Sequence, residues 1–361
     1  MRTYLVRTNL DIKEKKITKT LRFKVAVDSI KSMSDKNNKI VILSHRGRPN
    51  GHEKSLSLKP FAVLLSKEAG KKINFIAKLD NAEKLIKNAG GGSVFLLENL
   101  RFNKGEVKNN LRFAKKLANL GDTYINNDFA TSHHKAASLV AITKYIPSKQ
   151  GEIVRYETKA LTKAKRDSKK PFVLIIGGVK IKDKASTIKK LLPKVDYVLL
   201  GGGVGNTFLK ARGVNIGKSL YEPGLVKKIK RLARNKKIRL PTDHVVEKNK
   251  ILDIGPDTRE EYAKIISEAS TIVWAGPMGK FEEKRFSRGN EAIAKAILKN
   301  KKAHIVIGGA ETVYSLPINI KKQHRDNVFF STAGGAMLHF LADKKLPALE
   351  ALKKSKGKIK R

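Results

Sequence analysis

Residues 271–283 read TIVWAGPMGKFEE, and the way this stretch ends sets the pattern for the rest of the chain. An apolar run of strand length closes on Trp274, the only tryptophan, and gives way at once to Gly276, Pro277 and Gly279. One glycine would serve a turn. Two glycines and a proline indicate backbone that something else approaches closely. The same ending recurs in PFVLIIGG (171–178), DYVLLGGG (196–203), HIVIGGAE (304–311) and NVFFSTAGG (327–335). Further strand-length runs are TYLVRTN (3–9), KIVILSH (39–45), INFIA (73–77), SVFLLEN (93–99), DTYINNDF (122–129) and IRLPTDHVV (238–246). Between most of them lie stretches with helical apolar spacing, such as KPFAVLLSKEAG (59–70) and NNLRFAKKLANLG (109–121). Strands alternating with helices predict an α/β protein whose parallel sheets are covered on both faces.

These eleven runs are too many for one tidy sheet. The lysine-rich, weakly apolar stretch YETKALTKAKRDSKKP (156–171) reads as a connecting helix and hinge ending at Pro171. The expected organisation is therefore two Rossmann-like parallel-sheet domains facing each other across a hinged cleft. A first domain spans 1–152, a hinge 153–170 and a second domain 171–345.

Composition sets the outer bounds. A chain of 361 residues, 40% hydrophobic, can bury sizeable cores. Having no cysteine, it can form no disulfide and use no thiolate. Neither a signal-peptide pattern nor an apolar run near the ~20 residues of a membrane helix is present, so a soluble, cytoplasmic protein is expected. The net charge of +45 is spread along the sequence, with crowding in KKIKRLARNKK (227–237) and at the C-terminal end. It reads mainly as solvated helix faces; nonspecific polyanion binding is compatible with it, but no basic arm, zinc finger or aromatic-interleaved RNA motif points to a specific nucleic-acid partner.

Ligands of open α/β sheets bind beyond the carboxyl ends of the strands. In the first half those ends are basic: His45, Arg46 and Arg48 in one, Arg101 in another, His133, His134 and Lys135 in a third. In the second half they are glycine-rich, accompanied by Lys180 and Lys184. The first half suits a small, strongly anionic molecule. The second lets backbone amides approach phosphates. Together they suggest phosphoryl transfer. GGGVGN (201–206) lacks the acidic residue of a dinucleotide fingerprint, His133–His134 lacks companion ligands for a metal, and no Walker A pattern occurs.

At this point the sequence resembles the phosphoglycerate kinase family. SHRGRPNG (44–51), LLENLRFNKGE (96–106), GGVKIKDK (177–184), LDIGPDT (252–258), VWAGPMGKFE (273–282) and STAGG (331–335) follow the family's order. The likeness runs from LVRTNLD (5–11) to KLPALEALKK (345–354). It implies 3-phosphoglycerate on the first domain, ATP or ADP with Mg²⁺ on the second, a monomer, and a segment, 346–361, that returns to the first domain. The implied substrate patch is Arg7, Arg22, His45, Arg48 and Arg101, with Asn9, Asp11, His134 and Lys135 in the same subsite. On the nucleotide side the resemblance implies Lys180 and Lys184. It puts Gly201, Gly202 and Gly203 at the adenine, Gly276 and Pro277 where the chain bends around the nucleotide, and Glu282 at the ribose. Glu311 falls where the family's metal-binding aspartate stands, followed by Thr312, and Gly334 and Gly335 fall at the phosphates. Arg22, Lys180 and Gly334 are expected nearest the migrating phosphoryl group.

Departures from the family's pattern accompany the likeness. Ala275 replaces an asparagine, Glu311 an aspartate, His134 an arginine and Ala136 a histidine, while Asn9 and Asp11 exchange the usual acid and amide. They leave a reassigned or weakened kinase, or a polyanion-binding protein on a kinase scaffold, as alternatives to a working phosphoglycerate kinase.

Overall fold

The computed structural model describes residues 1–13, 17–179, 181–316 and 326–355, with Lys182 and Asp183 described by backbone alone. The chain divides into two units, Met1–Thr158 together with Lys345–Arg361, and Lys159–Lys344.

The first unit is built on strands β1 (Arg2–Arg7), β2 (Asn38–Leu43), β3 (Ile73–Ile76), β4 (Val94–Leu97), β5 (Thr123–Asn126) and β6 (Ser148–Gln150). They form one sheet in the order β3-β4-β2-β1-β5-β6, every pairing parallel. Its central strands are near-continuous apolar runs because helices cover both faces. Val6, Ile40, Ile42 and Leu96 pack with Phe23, Ala26 and Ile30 of the helix Leu21–Met33 and with Phe61 and Leu65 of the helix Lys59–Ala69. Thr20 caps the first of these helices by accepting a hydrogen bond from the Phe23 amide at 3.3 Å. From β1 the chain moves to β2 on one side, and after β4 it crosses to β5 on the other, so the strand order reverses at β1. The helix Pro347–Ser355 packs on β6 within this unit, and the Ala348 amide donates to the Ser132 carbonyl at 3.2 Å.

The second unit has strands β7 (Phe172–Ile176), β8 (Tyr197–Leu200), β9 (Ile238–Arg239), β10 (His244–Glu247), β11 (Lys250–Ile254), β12 (Thr271–Ala275), β13 (His304–Gly308) and β14 (Val328–Ser331). Six of them make a parallel sheet in the order β14-β13-β12-β7-β8-β9, reversing at β7. Trp274, Ile175, Ile305 and Leu199 centre its core with Tyr262 and Ile266 of the helix Pro256–Glu268 and Ile293 of the helix Arg288–Lys299.

Two parallel sheets covered by helices are thus what the alternating pattern predicts. Two details differ. The run 238–246 is split, because Pro241 has no amide for a ladder; β9 ends before it, and β10 belongs instead to a two-stranded antiparallel ribbon with β11. That hairpin turns through Lys248 and Asn249, both at positive φ (48° and 59°), a turn without the usual glycine signal. β6, three residues with little apolar content, gave no strand pattern either.

Candidate functional site

The carboxyl ends of β1, β2, β4 and β5 bring the basic residues of the first unit together. Arg7 ends β1 and lies in register with Leu43 at the end of β2, so His45 follows only two residues beyond its neighbour. Asn99, buried after β4, ties that loop to the β2 loop: its Nδ2 donates to the Arg46 and Leu56 carbonyls at 2.7 and 3.0 Å, and its Oδ1 accepts from the Arg46 amide at 3.1 Å. Arg101 Nη1 then reaches the Gly47 carbonyl at 2.6 Å, while Gly47 donates its amide to Asp11 Oδ1 at 2.8 Å. Arg22, on the helix Leu21–Met33, donates to the Asp11 carbonyl at 2.8 Å.

The electrostatics follow from this proximity. His45 is fully buried and its pKa is held well below the usual histidine value, first by desolvation and then by the charges of Arg7, Arg101, Arg22 and His134. Burial likewise lowers the pKa of Arg101, which feels Asp11 and Glu106 as opposing charges and Arg7 and Arg48 as like ones. So Arg22, His45, Arg48, Arg101, His134 and Asp11 share one basic patch. Arg48 and Lys135 are exposed. His134 stacks against His133, ring centroids 3.9 Å apart. Arg46 is spent structurally, donating to the Ser55 carbonyl at 2.8 Å and lying over the Phe61 ring.

The expectation for Arg7 needs correction. Its side chain is 1% exposed and fully engaged, with Nη1 3.0 Å from Asp128 Oδ2, Nε donating to Ser138 Oγ at 3.0 Å and Nη2 2.7 Å from His45 Nδ1. A guanidinium this buried and this committed is held by the protein's own interior rather than presented at the surface of the patch. Asn9 is engaged too: Nδ2 donates to Asp128 Oδ1 at 3.1 Å, and Oδ1 accepts from the Asp11 amide at 3.0 Å. Asp128 holds both, and no sequence signal marked it.

In the second unit the glycine-rich ends of β7, β8, β12, β13 and β14 converge on one another. Gly276 has φ +100°, and a Cβ there would lie 2.2 Å from the Gly177 carbonyl oxygen. A Cβ on Gly177 would in turn meet the Pro277 oxygen at 2.0 Å. Three backbone bonds close this contact: Gly177 N to Ala275 O at 3.1 Å, Gly178 N to Pro277 O at 2.6 Å and Gly202 N to Met278 O at 2.7 Å. Gly201 and Gly203 flank that last amide at the start of the helix Gly202–Arg212, which no side chain caps. Thr312, buried, accepts from the Gly276 amide at 2.7 Å, and Gly309 approaches Gly334. Trp274 finishes the turn that opens the stretch 271–283, its indole Nε1–H donating to the Gly276 carbonyl at 2.8 Å. Gly279, by contrast, faces inward: a Cβ there would sit 2.3 Å from Asp253 Oδ1, a buried carboxylate whose pKa burial raises to about 6.

Lys184 projects into this nest, its Nζ donating to the Gly177 carbonyl at 2.5 Å. Glu311 lies exposed in the first turn of the helix Ala310–Ser315, and Gly335 is exposed at the start of the helix Gly335–Leu341. Glu282 is exposed, and its charge bears on Lys280. Lys180 lies outside the described residues.

Comparison with known proteins identifies the class. The sequence profile of phosphoglycerate kinase matches residues 2–344. The chain belongs to the phosphoglycerate kinase family. It is 40% identical to the phosphoglycerate kinase of Thermosipho africanus, over 96% of this chain and 94% of that one. The enzyme of Francisella philomiragia is 37% identical, over 96% and 93%. Among solved structures, the phosphoglycerate kinase of Pyrococcus horikoshii matches with a TM-score of 0.85 and 29% identity over 99% of this chain and 97% of that one. That of Coxiella burnetii matches with 0.74 and 35%, over 98% and 96%. Membership makes the chain a phosphotransferase.

Proposed function

We propose that the chain catalyses reversible phosphoryl transfer between ATP and 3-phosphoglycerate, with the acid bound on the first unit and the nucleotide on the second. The observation that carries this is the basic patch of Arg22, His45, Arg48, Arg101 and His134 at the carboxyl ends of one sheet, in a chain whose other sheet ends in close-packed glycines. The acceptor is a carboxylate, ionised at neutral pH, so no general base is required. Two anions must meet, and charge spreads over the migrating group; cationic side chains that neutralise it supply the rate enhancement. Arg22, Lys180 and the Gly334 backbone take that role. Arg48, Arg101, His134 and Lys135 hold the acid, with His45 and Asp11 contacting it through hydrogen bonds. Lys184, Gly201, Gly202, Gly203, Gly276, Pro277, Thr312, Glu282 and Gly335 hold the nucleotide.

Mg²⁺ would enter with the nucleotide. Among the described residues no three histidines or acids form a cage, but Mg²⁺ commonly takes one carboxylate and completes its shell with phosphate and water oxygens. Exposed Glu311 fits that single-ligand role, and the ion would neutralise phosphate charge. We take the protein to act as a cytoplasmic monomer without a specific nucleic-acid partner; no helix among the described residues is long and apolar enough to cross a membrane.

The test is a steady-state assay with ATP, Mg²⁺ and 3-phosphoglycerate, coupled to reduction of the acyl phosphate, at several ionic strengths because a +45 chain is strongly screened by salt. Turnover is expected, and Arg22→Ala should lower it by roughly 10²–10³, as for loss of one preorganised donor to a charged transition state. No turnover at any salt, in folded protein that binds ATP, would refute the assignment.

A further inference from the structure

His45 is the most buried polar group of the basic patch, and its two ring nitrogens stand in different situations. Nδ1 lies 2.7 Å from Arg7 Nη2. Nε2 is buried without a hydrogen-bond partner among the described residues, and its closest opposite charge is Asp11 Oδ2 at 3.9 Å. A guanidinium has donors and no acceptor. Nδ1 must therefore present its lone pair to Arg7, and the ring proton belongs on Nε2.

Arg7 cannot easily yield this position. Asp128 Oδ2 holds Nη1 at 3.0 Å, and Ser138 Oγ accepts from Nε at 3.0 Å. Ser138 is fixed in turn: its hydroxyl donates to Glu106 Oε1 at 2.6 Å and its amide to Glu106 Oε2 at 3.0 Å. Asp128 is braced by Asn9 Nδ2 at 3.1 Å and the Thr131 amide at 3.1 Å. Arg7, Asp128 and Glu106 are each 1% exposed. This chain of charge-assisted bonds starts deep in the unit and ends on one nitrogen of one imidazole.

We propose that Arg7 is a positioning residue that does not touch substrate but locks His45 as the neutral Nε2–H tautomer, making it a fixed hydrogen-bond donor to the anion bound among Arg22, Arg101 and His134. The inference rests on the reading of His45 as a substrate contact given above. The consequence is a donor that neither flips nor charges across the working pH range. The groups facing His45 are unequal: Arg7, Arg101, Arg22 and His134 oppose an imidazolium, as does burial, and Asp11 alone among them favours it. A neutral imidazole N–H serves an anion without adding a titrating charge.

The experiment is ¹⁵N–¹H correlation of histidine-labelled protein without ligands, the His45 signals assigned by their loss in His45→Gln, from pH 5.5 to 8. The expected spectrum shows an unprotonated Nδ1 and a protonated Nε2 at every pH. An Nδ1–H ring, or imidazolium appearing in that range, overturns the proposal. Arg7→Met/Asp128→Asn removes the lock while leaving no buried charge unpaired between the two. In it the neutral ring should populate both the Nδ1–H and Nε2–H tautomers, and the KM for 3-phosphoglycerate should rise about tenfold with kcat less affected, the scale of one lost hydrogen bond to a charged group. A ring pattern unchanged in this variant would also overturn the proposal. If the variant does not fold, the parent spectrum decides. The expected spectrum in a protein without phosphoglycerate kinase activity would sink the kinase reading and leave the tautomer lock standing.

Discussion

Asp253 offers a prediction whose size follows from the structure. It sits in β11 with 1% of its surface exposed, beneath the stretch that carries Gly279, and accepts hydrogen bonds from the Ile254 and Gly289 amides at 2.9 and 2.8 Å. Desolvation outweighs those bonds and raises its pKa from 3.8 to about 6. A raised acid pKa means that the folded protein binds the proton more tightly than the unfolded chain. Stability from this group is therefore greatest at low pH and declines as pH rises from about 4 to about 6, above which both states are ionised. The two values differ by about two pH units, which at 1.36 kcal/mol per unit corresponds to about 3 kcal/mol. Asp253→Asn cannot ionise. It exchanges an acceptor oxygen for an amide that faces a donor, a cost of roughly 1–3 kcal/mol, but that cost does not vary with pH. The stability of the variant relative to the parent should thus shift in the variant's favour by about 2.4 kcal/mol between pH 4 and pH 7. Trp274, the only tryptophan and fully buried in the same unit, supplies a local fluorescence signal for urea titrations of both proteins. Other titrating groups cancel in the difference. A difference constant within about 0.5 kcal/mol across that range, the usual limit of additivity, would refute the assignment of a strained buried carboxylate.

Three further substitutions probe the two units. Gly276→Ala forces φ +100° on an alanine and drives a methyl to 2.2 Å from the Gly177 oxygen; backbone strain of about 1–3 kcal/mol adds to displacement of the β7 loop, so urea unfolding followed at Trp274 should show a loss of at least that size, with weakened ATP binding. Asn9→Asp puts a second carboxylate against Asp128 Oδ1, where Nδ2 now donates at 3.1 Å; stability of the first unit should fall by about 2 kcal/mol or more, measured by thermal unfolding, whereas Asp11→Asn, at a half-exposed position, should cost less.

What was legible in the sequence and what was not divide along a physical line. The sheets could be read because a strand buried on both faces must be apolar throughout, as Phe172–Ile176 and Val94–Leu97 are. The basic and glycine-rich strand ends could be read because a parallel sheet puts all carboxyl ends on one edge. The hairpin through Lys248 and Asn249 could not, since it uses left-handed residues that are not glycine. Nor could the difference between Arg7 and Arg101, two arginines at the carboxyl ends of strands. What separates them is a partner: Asp128 meets Arg7 across the β1–β5 pairing, whereas Arg101 reaches only backbone and keeps part of its surface.

The exchange of acid and amide between positions 9 and 11 is intelligible only at this level. Position 9 lies against Asp128, which already balances Arg7, so a carboxylate there would be a second buried negative charge on one guanidinium; an amide instead donates to Asp128. Position 11 lies beside Arg101 and His45, with the Gly47 amide donating to its side chain, and there the Arg101 charge favours a carboxylate over an amide. Asn9 and Asp11 are therefore not two lapses from a family pattern but one electrostatic solution, set by where Asp128 places the negative charge of the first unit's core.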